Sequence, residues 1–148
     1  MTTSIKTLEI TVQRTIPAPP SEVFDAWLDP KVPGTLWHGH EKVILNPEID
    51  GLWYLLTLIH TREGTPHYGR FIELNRPSRI QHSWMSRNTL GEETTVTVTF
   101  QKKGEDTLIT ILHSGLPNSD MATAHEKGWS SILEKFSNIF VGGSRRQQ

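Results

Sequence analysis

The stretch from about Asp120 to Phe140 constrains the fold more than any other. Trp129, Ile132, Leu133, Phe136, Ile139 and Phe140 recur at spacings of three and four, which puts one apolar stripe on one face of a helix. Glu126, Lys127, Ser130, Ser131, Glu134, Lys135, Ser137 and Asn138 fall mostly on the other face. Asn118-Ser119-Asp120 after Pro117 offers a start. Thr123 with Glu126 offers a capping box one turn later, and Gly142-Gly143 offers an end. At the helical rise such a segment is about 30 Å long. Nearly everything before it reads as strand, so its apolar face must be buried on the sheet those strands form.

The first of these strands is Leu8 to Ile16. Leu8, Ile10, Val12, Arg14 and Ile16 share one parity and Thr7, Glu9, Thr11, Gln13 and Thr15 the other, which describes a strand with one solvated face and an arginine on the inward one. Pro17, Pro19 and Pro20 stop it. Ser21 is an N-cap for a short helix carrying Val23, Phe24, Trp27 and Leu28, which ends at Asp29-Pro30. Lys31 to His40 is a loop or a broken helical turn, giving two short helices in all after the first strand. Six more strands follow: Lys42–Leu45, Leu52–His60, His67–Leu74, Arg79–Ser86, Glu93–Phe100 and Thr107–His113. In the fifth, Val96, Val98 and Phe100 point inward and threonines outward. Short turns between strands make an antiparallel meander, and a sheet of about seven such strands twists and curls. The expected architecture is α+β, with a curved antiparallel sheet gripping one long C-terminal helix and a cavity between the two.

At 148 residues the chain is expected to be one domain, with its core from about 8 to 140. Lys+Arg is 15 and Asp+Glu is 16, which gives no basic surface for nucleic acid or an acidic membrane. With no cysteine there can be no disulfide, zinc-thiolate site or thiol nucleophile. No apolar run reaches membrane-spanning length and the N-terminus lacks the apolar core of a signal peptide, so a soluble cytoplasmic protein is expected. There is no G-x-S-x-G elbow and no glycine-rich phosphate loop, and no cofactor is implied.

Four segments carry a family resemblance: RTIPAPPSEVFDAWLDP (Arg14–Pro30), the run Gly91 to Phe100, HSGLP (His113–Pro117) and HEKGWSSIL (His125–Leu133). In order and spacing they resemble the activator-of-heat-shock-protein-90-ATPase homologues, within the START-like (SRPBCC) helix-grip superfamily. The resemblance covers about residues 8 to 140 and implies the fold reached above. It implies less about activity, because the superfamily holds lipid carriers, hormone and sterol binders, aromatase/cyclases and members without a known ligand. Eukaryotic co-chaperones of the family add a separate N-terminal domain that engages the chaperone, for which this length is expected to leave no room. Where the family shows a double Trp and then Gly-Pro, this chain reads Leu36-Trp37-His38-Gly39-His40, so its pocket mouth is expected to differ.

The expected function is to bind a small apolar or amphipathic molecule between helix and sheet. The chain has 5 Trp, and Trp37, Trp53, Trp84, Trp129 and Tyr68 sit on separate elements that this fold can bring to one cavity, where apolar walls with a few polar groups make a ligand site. Simple core filling is the competing reading, most of all for Trp129 on the helix stripe. His82 and His113 fall on inward parities. They read as polar groups orienting a ligand or exchanging protons, or as core histidines bonded to backbone. Arg14 reads as a fork for a ligand acid, as one half of a pair with an acid such as Glu73, or as a side chain snorkelling out at the strand's edge. His38 and His40 could share a metal, but no third ligand is evident and no metal is expected. Tyr54, Leu56 and Leu58 put large apolar groups on the outer face of strand Leu52–His60, where a homodimer contact is expected. A chaperone partner is the second functional reading and a cyclase-type enzyme, using His82 or Arg14, the third.

Overall fold

The computed structural model describes residues 7–57 and 64–141. Seven antiparallel strands form one curved sheet: β1 (Leu8–Ile16), β2 (Lys42–Leu45), β3 (Leu52–Thr57), β4 (Thr65–Asn75), β5 (Arg79–Trp84), β6 (Thr94–Lys103) and β7 (Asp106–Leu116). Their spatial order is β1-β7-β6-β5-β4-β3-β2, a meander whose last strand returns to pair with the first. The inward parities follow the side-chain alternation. Ile80 and His82, Val96 and Val98, and Ile109, Ile111 and His113 are all buried, each strand in register with the next.

The long helix α2 (Ser119–Asn138) crosses the concave side and packs on β1 and β7. Its start is settled by Asn118, whose side-chain oxygen accepts from the Met121 N–H at 3.0 Å, so the capping box at Thr123 is not used. It closes at Ile139, and the Gly142-Gly143 stop lies outside the described residues. Trp129, Leu133 and Phe136 are buried, and Ile132 and Ile139 pack against them, as the stripe requires.

Only one helix lies between β1 and β2. α1 (Pro20–Trp27) begins one residue before Ser21, because Pro20 has the backbone angle of a first helical residue and no N–H to leave unsatisfied. It drives Trp27 against Phe136 (ring centroids 5.0 Å apart, nearly perpendicular) and Phe24 against Phe100 (5.2 Å). The expected second short helix is absent. Residues 28–40 run as successive turns, with Thr35 N–H donating to the Val32 carbonyl and His38 N–H to that of Thr35. Gly34 (φ 101°) and Gly39 (φ 85°) take left-handed conformations that no helix continues through. These turns lay Leu36 and Trp37 over the open end of the grip, where both are buried.

Candidate functional site

A cleft of about 440 Å³ lies between α2, the turns 34–40 and strands β3–β5, partly open to solvent. That volume suits a small organic ligand. Leu36, Leu55, Trp84, Trp129 and Ile132 supply its apolar wall. Its polar groups are His38 and His40 from the turns, His67 from β4 and His125 from α2, with Lys135, Asn88 and the threonines Thr35, Thr57 and Thr65 also on the wall. Among the described residues no Asp or Glu lines it.

Gly128 borders this space. It sits in α2 one residue before Trp129, on the cavity side, and a Cβ built there would meet nothing within 4 Å. A glycine inside a helix costs about 1 kcal/mol relative to alanine. The chain carries that cost at a position on the cleft lining.

Three of the cavity imidazoles are held by backbone carbonyls. His67 Nδ1 donates to Thr65 O (3.1 Å), His125 Nδ1 to Met121 O (2.7 Å) and His40 Nε2 to Leu36 O (2.7 Å). A carbonyl can only accept, so in each ring that nitrogen carries the hydrogen and the other is left for an occupant. Burial lowers the His67 pKa to about 4, with the neighbouring His125 and His40 lowering it further against the Thr65 bond. Burial lowers that of His125 as well.

The residues singled out from sequence divide into three groups. Trp84 and Trp129 line the cleft. Trp37, Trp53, His82 and His113 are buried behind its wall. Arg14 and Tyr68 are exposed elsewhere. Arg14 does not turn into the core as its parity implied. β1 is an edge strand, and there Arg14 borders a surface groove with Glu126, Lys127 and Glu134 of α2. Glu73 pairs instead with Arg79, at 2.8 Å. Tyr68 faces outward because Gly69 and Phe71 set the opposite parity, and His67 takes the inward place. Gly69 is required there: a Cβ would overlap the Ser83 carbonyl and come within 2.7 Å of Trp53 Nε1, which donates to that same carbonyl at 3.1 Å.

His82 is enclosed by aromatic rings, with Trp53 at 5.2 Å, Phe71 at 5.6 Å and Trp37 at 6.1 Å between centroids. Its Nδ1 donates to Ser83 O, and its Nε2 has no partner among the described residues. Burial lowers its pKa to about 4. His113 is a strut. Trp129 Nε1 donates to His113 Nδ1 (2.9 Å), so the ring's hydrogen is on Nε2, which donates to Thr94 Oγ1 (2.7 Å), and Thr94 donates in turn to Trp84 O (2.6 Å). This chain ties α2 to β7, β6 and β5. Burial, and then the charges of His125 and His82, lower the His113 pKa to about 3.

Sequence reading did not find His67, His125 or Gly128. A glycine inside the apolar helix pattern was the available signal for the last. His38 is exposed at the mouth and His40 is tied back to Leu36. Among the described residues no group of three or more His, Asp or Glu is placed to hold a metal ion. Nor is any described helix long and apolar enough to cross a membrane.

A curved antiparallel sheet closed on one long C-terminal helix, with the cleft between them, defines a helix-grip protein. The chain belongs to the family described as Activator of Hsp90 ATPase homolog 1-like protein, whose model matches residues 17–140. Solved structures share the fold. A Staphylococcus aureus protein of unknown function superposes with a TM-score of 0.78 at 11% identity, over 97% of this chain and 98% of its own. An HSP90 activator from Plasmodium falciparum gives 0.71 at 21%, over 88% and 94%, and CalU16 from Micromonospora echinospora 0.70 at 21%, over 93% and 79%. Identities this low speak to the fold alone. Among curated proteins, no sequence matches this one.

Proposed function

We propose that the chain binds a small apolar or amphipathic molecule in the cleft between α2 and the sheet. The observation that carries this reading is the cleft itself: about 440 Å³, walled by Trp84, Trp129, Leu55 and Ile132, with a glycine in the middle of a helix on its lining. Burial of apolar ligand surface would drive binding, at about 25 cal/mol per Å² before the costs of association. Trp84 and Trp129 form the wall. His82 and His113, set behind it, hold the aromatic framework rather than touch the ligand.

Gly128→Leu tests this directly, because it adds a side chain where the backbone has room and fills the cleft. Wild type is expected to bind decanol in calorimetric titration, and native mass spectra of fresh protein to show a small-molecule adduct released on denaturation. Gly128→Leu should do neither while melting at or above the wild-type temperature. Equal decanol affinity in the two proteins would sink the reading.

The family description and the Plasmodium activator favour a second reading, association with an Hsp90-type chaperone. In that case Gly128→Leu would still change the chaperone's ATPase rate. A second copy of the chain is the other partner we propose, through the outer face of β2–β4. There Ile44, Leu52 and Tyr68 are exposed, Tyr54 and Leu56 lie half-buried beside them, and Leu58 falls outside the described residues. The same native spectra read that dimer, and a monomer alone at micromolar protein would remove it. The cyclase reading has no support from the site: neither His82 nor Arg14 lines the cleft.

A further inference from the structure

The cleft is apolar on most of its wall, yet its polar groups are biased in one direction. Histidines come from three separate elements, the turns 34–40, β4 and α2, and Lys135 adds an ammonium. Trp84 on the same wall has an indole N–H with no partner among the described residues. The carboxylates of α2 nearest this stretch, Glu126 and Glu134, lie on the opposite side of the helix, in the groove with Arg14 and Lys127. His113 approaches His125 from behind the wall, ring centroids 4.9 Å apart, but both its nitrogens are taken by Trp129 and Thr94. Among the described residues, a ligand's polar end therefore meets imidazoles that can be made to donate, the Lys135 ammonium, and neutral hydroxyl and amide groups, and no carboxylate.

His67 and His125 are built alike. Each donates Nδ1–H to a carbonyl of its own chain segment, Thr65 O and Met121 O, and each leaves Nε2 as a bare lone pair when the ring is neutral. Such a nitrogen accepts a hydrogen bond from a hydroxyl without any change of charge. It can serve a carboxylate only after gaining a proton, when it becomes an N⁺–H donor with a charge-assisted bond to give. Burial holds both rings neutral at pH 7, and for His67 the neighbouring His125 and His40 act in the same direction. A carboxylate entering among them supplies the missing counter-charge.

We infer that the occupant is an amphipathic carboxylic acid, and that it binds with uptake of one proton from solvent, held between the acid and Nε2 of His67 or His125. The inference rests on the cleft reading above and names the ligand class for it. The proton balance is simple. The free acid is ionised and the free rings are neutral at pH 7. The complex holds one hydrogen more than its parts, whichever atom of the pair carries it.

The test compares decanoate with decanol, which share a chain and differ in the head group. Calorimetric titration at pH 7 in phosphate, HEPES and Tris, whose ionisation heats differ, reads the protons exchanged. Decanoate is expected to take up about one proton and decanol about none. Decanoate affinity should fall about tenfold per pH unit on the alkaline side, as one linked proton requires, while decanol affinity stays flat. The His67→Gln/His125→Gln protein should bind decanoate without proton uptake. Lys135→Gln should weaken decanoate binding and leave the uptake in place. Decanoate binding with no uptake, or uptake that survives in the double variant, overturns the inference. So does binding of decanol with exclusion of decanoate, and the cleft reading survives all three outcomes. Failure of both compounds to bind removes the two together.

Discussion

At the scale of single residues, His113 shows how a histidine with every mark of a functional group comes to be structural. It is fully buried, on the inward parity of β7 and near a ligand-sized cleft. Both its nitrogens are nevertheless spoken for, one accepting from Trp129 and the other donating to Thr94. Protonation at Nδ1 would break the Trp129 bond, so its pKa near 3 has a geometric reason beside the desolvation that dominates it. His113→Leu leaves the Trp129 N–H buried without an acceptor, and should cost about 1–3 kcal/mol in urea denaturation followed by tryptophan fluorescence. His113→Gln, whose amide can both accept from Trp129 and donate to Thr94, should restore part of it. A leucine variant within about 0.5 kcal/mol of wild type would show that the strut carries nothing. The inward parity of His113 and His82 was legible in the sequence. What their nitrogens do was not, because it depends on which element lies opposite.

Among the elements, α2 was the most readable and β4 the least. A helix announces its buried face through a spacing that cannot belong to a strand, and Trp129, Leu133 and Phe136 are buried as that spacing demands. In β4 both parities carry large groups, His67 and Phe71 on one and Tyr68 and Ile72 on the other. Alternation alone then does not say which faces in. Gly69 decides it, by the close approach to Ser83 and Trp53 that only a residue without a Cβ allows. Gly128 makes a matching point on α2. Nothing obstructs a methyl group at that position, so Gly128→Ala should stabilise the fold by about 0.5–1 kcal/mol in urea titration. It should also narrow the cleft and weaken decanol binding. Destabilisation instead would mean that the backbone at Gly128 needs more freedom than its helical geometry implies.

For the whole molecule, the grip encloses His82 and His113 where water does not reach, and this ties folding to pH. The architecture followed from seven strands and one stripe. The histidine-lined cleft did not, since His40, His67 and His125 lie on separate elements that meet only when the sheet curls. The cost of housing such groups should be measurable at His82, which is fully enclosed by Trp37, Trp53 and Phe71. An imidazole in the unfolded chain titrates near 6.5. Inside the fold that of His82 is held to about 4 by burial. Between those values the unfolded chain binds the proton and the folded chain does not, so stability rises with pH across the window and is lost as pH falls from about 6.5 to about 4. For His82 alone the loss between pH 7.5 and pH 5 should be about 2 kcal/mol. His67 and His113, whose pKa values are lowered to about 4 and about 3, act in the same direction. Urea denaturation at the two pH values should therefore show a large drop for wild type and a drop smaller by about 2 kcal/mol for His82→Leu, whose side chain has no proton to bind. If both proteins lose the same stability, His82 is not the group that acid attacks. The penalty would then sit with His67 and His113, where the corresponding leucine variants would reveal it.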